Sequence, residues 1–362
     1  MIYEALACHM MKIIAYYLPQ FHEIPENNIW WGKGYTEWTS LKKAYPLFYG
    51  HNQPRIPLHD FYYDLSDEKV LEWQVKLAKQ YGIYGFCVYH YWFNKKRLLQ
   101  KPLENFLLHP DLFMPFCICW ANESWTNAWV SDQKDVLIKQ DYGDEEEWTE
   151  HFYYLLPFFK NNNYIRIDDQ LLFIIYRPEL ISQLSEMLEL WNKLAKENNI
   201  SKIAFASQQT DFDINSDVGK KYFSYQIEYQ PDLAKKMLNA KIPDFKRKKE
   251  ILIRDYDEVW REILSADPVS EKSIPGAFVD WDNTPRHQLT GSLLKNVNPQ
   301  KFQQYLFQQM IRAKIKYHKN ILFLFAWNEW TEGGYLEPDV KNGYKYLNAV
   351  KKALIAYEGS EE

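Results

Sequence analysis

Glycine is scarce in this chain, with 13 residues among 362, and no G-x-G-x-x-G or G-x-x-x-x-G-K-[ST] string occurs. Both motifs need glycine so that backbone can approach phosphate closely, so their absence counts against a dinucleotide fold or a P-loop. Positive charge is not in excess either. Forty-three Lys and Arg face 48 Asp and Glu, a formal charge of −5, which counts against a nucleic-acid partner. The one basic run, Lys246-Arg247-Lys248-Lys249, reads as a solvated face. Cysteine is too sparse for a disulfide scaffold. Of Cys8, Cys87, Cys117 and Cys119, the last three lie in apolar strand-like runs, where Cys behaves as a small hydrophobe. Metal-ligand spacing is missing, and neither a metal nor another cofactor is expected. No apolar run approaches the roughly 18–20 residues that span a bilayer. Residues 1–10 (MIYEALACHM) have neither the basic start nor the apolar run of a leader, so a cytoplasmic location is expected. Regular patterning begins at Lys12, which makes 1–11 an extension, 12–358 one domain, and Met11 an alternative start.

Aromatic residues, by contrast, are abundant: 14 Trp, 27 Tyr and 21 Phe, or 17% of the chain. A core alone does not require so many.

Short apolar runs alternate with amphipathic stretches along the whole length. The strand candidates are Lys12–Leu18, Gly85–Tyr91, Met114–Trp120 and Leu171–Tyr176, then Lys202–Ser207, Tyr222–Ile227, Gly276–Val279 and Ile321–Trp327. Several are continuously apolar, as parallel strands covered on both faces should be. Helices are expected over Asp67–Tyr81, Ile181–Asn198, Pro299–Tyr317 and Tyr344–Tyr357, with Ser66 and Ser182 as caps. Eight such units predict an α/β protein, a (β/α)8 TIM barrel of one domain. A doubly wound open sheet is the alternative. Two stretches, 19–66 and 230–275, exceed what a barrel connection needs and mark long first and sixth βα loops.

A barrel places its active site where strands end, and here every strand breaks into a polar or aromatic cluster. The first runs into Pro19-Gln20-Phe21-His22, the second into His90-Tyr91-Trp92, and the third into Trp120-Ala121-Asn122-Glu123 with Trp125 beyond. The seventh gives Asp280-Trp281-Asp282-Asn283, and the eighth Trp327-Asn328-Glu329-Trp330. Indole and phenol rings stack on sugar C–H faces, amides and acids bind hydroxyls, and carboxylates work on glycosidic bonds. A carbohydrate substrate is therefore expected.

Within WNEWTEGG, Glu329 and Glu332 are the leading catalytic pair, since burial beside indoles and mutual repulsion move carboxyl pKa values upward and apart. Glu123 is the competitor, either as a cross-barrel partner of Glu329 or as a hydroxyl binder. Glu37 and Trp38, in WWGKGYTEW, form either a lid over the barrel mouth or an aromatic surface turn. Asp280, Asp282 and Arg286 make either a structural ion pair or sugar contacts. His22 and His90 bind sugar or are satisfied core histidines. Two D-x-D strings, Asp211-Phe212-Asp213 and Asp280-Trp281-Asp282, fit the ion-holding strings of glycosyltransferases only weakly.

In order, YYLPQFH, WWGKGYTEW, CWANESWT, DWDNTPR and WNEWTEGGYLEPD resemble the WbsX-type, glycoside hydrolase family 99-like proteins, from about Lys12 to Ala356. Tyr17 and Glu337, in the first and last strings, join the substrate-binding candidates. The resemblance implies a (β/α)8 barrel and a retaining glycosidase related to endo-α-1,2-mannosidases. It further implies that Glu329 takes the proton of a sugar 2-hydroxyl, that a 1,2-anhydro sugar forms, and that Glu332 is general acid and then base. Thr331 stands where those mannosidases carry histidine. The WbsX branch also implies an alternative, a glycosyltransferase of O-antigen or other surface polysaccharide assembly.

Overall fold

The computed structural model describes residues 10–126, 136–209, 221–243 and 250–360. Cys8, the basic run at 246–249 and the D-x-D string at 211–213 lie outside them.

Eight parallel strands form a ring. They are β1 (Lys12–Tyr17), β2 (Gly85–Phe93), β3 (Phe116–Trp120), β4 (Gln170–Ile175), β5 (Ile203–Gln209), β6 (Tyr225–Glu228), β7 (Ser273–Ile274 and Gly276–Phe278) and β8 (Ile321–Phe325). Each pairs with the next, and β8 returns to β1, where Ile14 lies between Gly85 of β2 and Phe323 of β8. The ring excludes the open doubly wound sheet. Its seam is β7, split at Pro275, which has no N–H to give. Ser273–Ile274 pairs with β6 and Gly276–Phe278 with β8, while the Phe323 amide donates to the Pro275 carbonyl at 3.1 Å. Close approach at this seam requires glycine. A Cβ on Gly276 would lie 1.8 Å from the Glu228 carbonyl oxygen.

Strands such as β3 (FCICW) and β8 (ILFLF) are continuously apolar because both of their faces are covered. All nine residues of β2 are buried, as are the last five of β1. Helices α1 (Glu68–Gln80), α2 (Lys101–Leu108), α3 (Glu145–Phe159), α4 (Leu184–Glu197), α5 (Tyr256–Ser265), α6 (Pro299–Ile315) and α7 (Lys345–Glu358) alternate with the strands. The expected caps are displaced by a residue. Asp67, not Ser66, caps α1 by accepting from the Lys69 amide at 3.0 Å, and Ser66 instead donates to Asp64. At α4 the cap position is Gln183, without a side-chain bond. Cys87, Cys117 and Cys119 are buried free thiols.

Both long connections carry extra structure. Helices Pro25–Trp31 and Glu37–Lys43 fold the first over the barrel mouth, and Asp232–Ala240 lies in the sixth. Leu252–Asp255 and Ser292–Lys295 pair in parallel and tie the sixth connection to the seventh. No helix among the described residues is long and apolar enough to cross a membrane.

Closing the ring at Gly276 predicts that Gly276→Ala costs about 3 kcal/mol, the upper end of the usual range for forced overpacking. Gly359→Ala, whose Cβ would meet only an ordinary contact at 3.5 Å, is the control. Urea unfolding midpoints check both, and equal midpoints would refute the seam.

Candidate active site

The carboxyl end of β8 turns into a tight hairpin in which Asn328–Glu329 pairs with Gly334–Tyr335. Its reversal needs both glycines. Gly333 has φ +73, and a Cβ on Gly334 would lie 2.2 Å from the Phe325 ring. This short turn puts Glu329 and Glu332 on one side, at one cation.

That cation is Arg286, from the short helix Thr284–His287 after β7. Its Nη1 donates to Glu332 at 2.7 Å, and its Nη2 donates to Glu329 and to Glu37 at 3.1 Å each. Glu37 arrives from the first connection, where it opens the helix Glu37–Lys43. The Thr331 hydroxyl lies 2.9 Å from both Glu37 and Glu329. Three buried or nearly buried carboxyls therefore share one guanidinium. Burial holds the Glu329 proton up to about 8, with Glu332 and Glu37 adding to the rise and Arg286 opposing it. Glu332 is likewise raised by burial, against the pull of Arg286.

A cavity of about 630 Å³ opens beside this cluster. Glu37 and Arg286 form part of its wall, as do Trp31, Tyr35, Tyr45 and Trp125, and Lys43 stands exposed at its edge. An aromatic wall with few charges suits a stacked sugar.

The other candidates divide into those near this cavity and those built into its support. Gln20 lines it, donating to the Tyr91 hydroxyl at 2.8 Å, and Trp125 packs on Tyr91 and Trp30. Trp38 is buried behind, with its indole N–H on the Tyr63 carbonyl at 2.7 Å and its ring 5.6 Å from Trp330. Trp330 stacks on Tyr335 and donates to Glu337 at 2.8 Å. Glu337 also accepts from Tyr63 and Gln74, each at 2.7 Å, and Gln74 accepts from Tyr17. Burial raises Glu337 to about 7 despite these donors.

Asn328 uses its amide as a brace, accepting from the Leu18 amide at 2.8 Å and donating to the Leu18 carbonyl at 3.0 Å. Asp280 is 2.8 Å from Arg55. Asp282 accepts from Gln53 and Thr284 and meets His51 at 3.0 Å; these bonds and the Arg55 charge overcome burial and hold it at about 2. Asn283 accepts from the Ser292 amide at 2.7 Å. Trp327 is buried against Phe86, and Trp120 against His151. His90 and His151 face each other at 2.9 Å, with Trp92 stacked on His151 and donating to Glu147. His22 is also buried, and burial lowers its pKa. Asn122 exchanges bonds with the backbone of Arg177, and Glu123 meets the Arg177 guanidinium at 2.6 Å.

Arg286 was expected to make an ion pair within its own string or to meet sugar; its carboxyl partners are instead Glu37, Glu329 and Glu332 from two other segments, while Asp280 pairs with Arg55. Tyr35, Lys43 and Tyr45 escaped the strand-end reading altogether. Their signal was the aromatic density of 30–49, visible only once that loop is folded over the mouth.

Since the fold binds the Glu329 proton more tightly than the unfolded chain does, its contribution to stability is full below pH ~4.5 and is lost as pH rises through about 8. Glu329→Gln cannot titrate. Wild type is therefore expected to lose stability relative to this variant between pH 5 and 8, as read from urea midpoints. A pH-independent difference would refute the buried proton.

The family model described as Glycosyltransferase WbsX matches residues 13–350. A protein WxcX of Xanthomonas campestris pv. campestris, described as uncharacterized, is 34% identical over 354 residues in each of two strains, covering 94% of this chain and 49% of the relative. The chain thus spans about half the length of the curated relatives it matches. Among solved structures, the GH99 endo-alpha-mannosidase from Bacteroides thetaiotaomicron superposes with TM-score 0.58 at 13% identity, over 96% of this chain and 98% of that one. A glycoside hydrolase-like protein superposes with TM-score 0.59 at 11% identity, over 96% and 94%. At these identities the likeness is one of fold. The chain belongs to the WbsX family and has the barrel fold of the GH99 enzymes.

Proposed function

We propose that this chain is a carbohydrate-active enzyme that cleaves α-mannoside-like linkages in an oligosaccharide or polysaccharide with retention of configuration. The observation that carries the reading is the convergence of Glu329 and Glu332 on Arg286 beside an aromatic-walled cavity.

Glu329, once ionised, takes the proton of the sugar 2-hydroxyl, and that oxygen attacks C1. As the bond from C1 to the leaving oxygen breaks, Glu332 gives its proton to that oxygen. Water then attacks C1 of the 1,2-anhydro sugar and loses a proton to Glu332, while O2 regains its proton from Glu329. Two inversions give retention, and the carboxyls end as they began. Arg286 anchors both acids and offsets the charge that passes between them. Burial serves the acid role directly, since it raises the Glu332 carboxyl and so favours the protonated form that donates.

Glu329→Gln and Glu332→Gln are each expected to reduce turnover at least ~100-fold, the scale of general acid–base catalysis, with folding intact. A panel of α-mannosides and bacterial surface glycans supplies the substrate, and NMR of the first-formed anomer reads the stereochemistry. Wild-type turnover in both variants, or inversion, would overturn the assignment. The description of the family model as a glycosyltransferase favours a second reading, transfer from an activated sugar. Sugar-nucleotide binding by calorimetry, with and without Mn²⁺, separates the two.

A further inference from the structure

Glu329 must be ionised to act as a base, yet its surroundings keep it protonated. The geometry around Thr331 offers a way out. Its Oγ1 lies 2.9 Å from Oε2 of Glu37 and 2.9 Å from Oε1 of Glu329, and Nη2 of Arg286 lies 3.1 Å from the same two oxygens. The guanidinium nitrogen carries two hydrogens and can serve both. A hydroxyl carries one. If Thr331 donates to one carboxylate, the other contact is a hydrogen bond only when that carboxyl holds a proton and donates to the hydroxyl oxygen. Thr331, Glu37 and Glu329 are all buried.

Resting on the catalytic roles proposed above, we propose that Glu37, Thr331 and Glu329 form a proton relay in which Glu37 takes the proton that Glu329 must lose before it can act as base. The Glu329 proton passes to Thr331 Oγ1 as the hydroxyl proton passes to Oε2 of Glu37. One O–H bond breaks and one forms at each transfer, the hydroxyl is regenerated, and the net charge of the cluster is unchanged. Because Glu37 also lines the cavity, the acceptor end of the relay faces the bound glycan. Glu37 and Thr331 are thus positioning residues that act through Glu329.

Other charges bear on the pair. Arg286 and Glu332 face both carboxyls, Tyr91 from β2 faces Glu329, and Tyr35 from the first connection faces Glu37. Tyr229, Asp232 and Lys235 act on or with Glu332. These stay constant in the variants that test the relay.

Thr331→Val removes the hydroxyl at nearly constant shape, and Thr331→Ser restores it. The relay predicts that Thr331→Val lowers kcat about 10- to 100-fold with KM changed less than about threefold, that Glu37→Gln does the same, and that Thr331→Ser stays within about threefold of wild type. The acidic limb of kcat/KM is expected to move to higher pH in Thr331→Val, which loses a donor to the Glu329 carboxylate. It should move lower in Glu37→Gln, which loses a neighbouring negative charge. If Glu37 acts by charge alone, Thr331→Val and Thr331→Ser will have equal kcat, and the relay is wrong. If Glu329→Gln and Glu332→Gln are inactive while Thr331→Val is not, the relay fails and the catalytic pair stands. A substrate-free readout is carbon NMR of the full chain with ¹³C-labelled Glu carboxyls, assigned by loss of signal in Glu37→Gln and Glu329→Gln. One proton shared by the two carboxyls at pH 6–7 supports the relay, and two ionised carboxyls overturn it.

Discussion

Everything at the mouth of this barrel depends on one imbalance of charge. Three carboxyls, Glu37, Glu329 and Glu332, are gathered on the single guanidinium of Arg286 and largely withdrawn from water. One cation cannot balance three anions, and an unpaired buried carboxylate is costly. The least expensive remedy is to keep a proton, which is why burial and mutual repulsion raise Glu329 and Glu332 together. Under the proposed mechanism the same imbalance is useful, because a proton held by electrostatics can be given up when the charges around it change. Stability and reactivity here are opposite readings of one arrangement.

The surrounding structure keeps that arrangement from relaxing. Glu329 and Glu332 come from the hairpin after β8 and Glu37 from the first connection, and each of these segments is pinned separately. Asn328 fastens the end of β8 to Leu18 just beyond β1, and Glu337 gathers donors from Tyr63, Gln74 and Trp330 behind the hairpin. Arg55, His51 and Gln53, all from the first connection, converge on Asp280 and Asp282 after β7. The two aspartates behave oppositely. Burial dominates at Asp280 and raises it, whereas Asp282 has enough donors to be driven down to about 2. Asp282 is thus a fixed negative anchor that holds the long first connection closed over the mouth, and Glu37 reaches Arg286 because of it.

This separation of roles explains what could be read from the sequence. Strand positions were legible because a strand buried on both faces is continuously apolar, and β3 and β8 show that pattern without exception. The E-x-x-E string and the two glycines after it were legible because the hairpin that presents them is local. Helix caps were not, since Ser66 and Asp67 offer equivalent oxygens and only the backbone path selects between them. The first connection was harder still. Glu37 and Arg286 are 249 positions apart, and nothing local signals that they meet. The strand-end clusters were real, but many of their polar groups, including Asn122, Asn283 and Asn328, spend their hydrogen bonds on backbone. A polar residue at a strand end is as apt to terminate the strand as to meet a ligand.

The aromatic abundance divides in the same way. Trp120, Trp327 and Trp330 are almost wholly buried and shape the barrel and its hairpin, whereas Trp31 and Trp125 border the cavity. Burying indoles directly beneath the acids has an electrostatic consequence as well as a packing one. It replaces water with a medium that screens poorly, so the Arg286 contacts and the repulsion among the carboxyls act at greater strength. The tryptophans around WNEW thereby help set the dielectric in which Arg286, Glu329 and Glu332 interact.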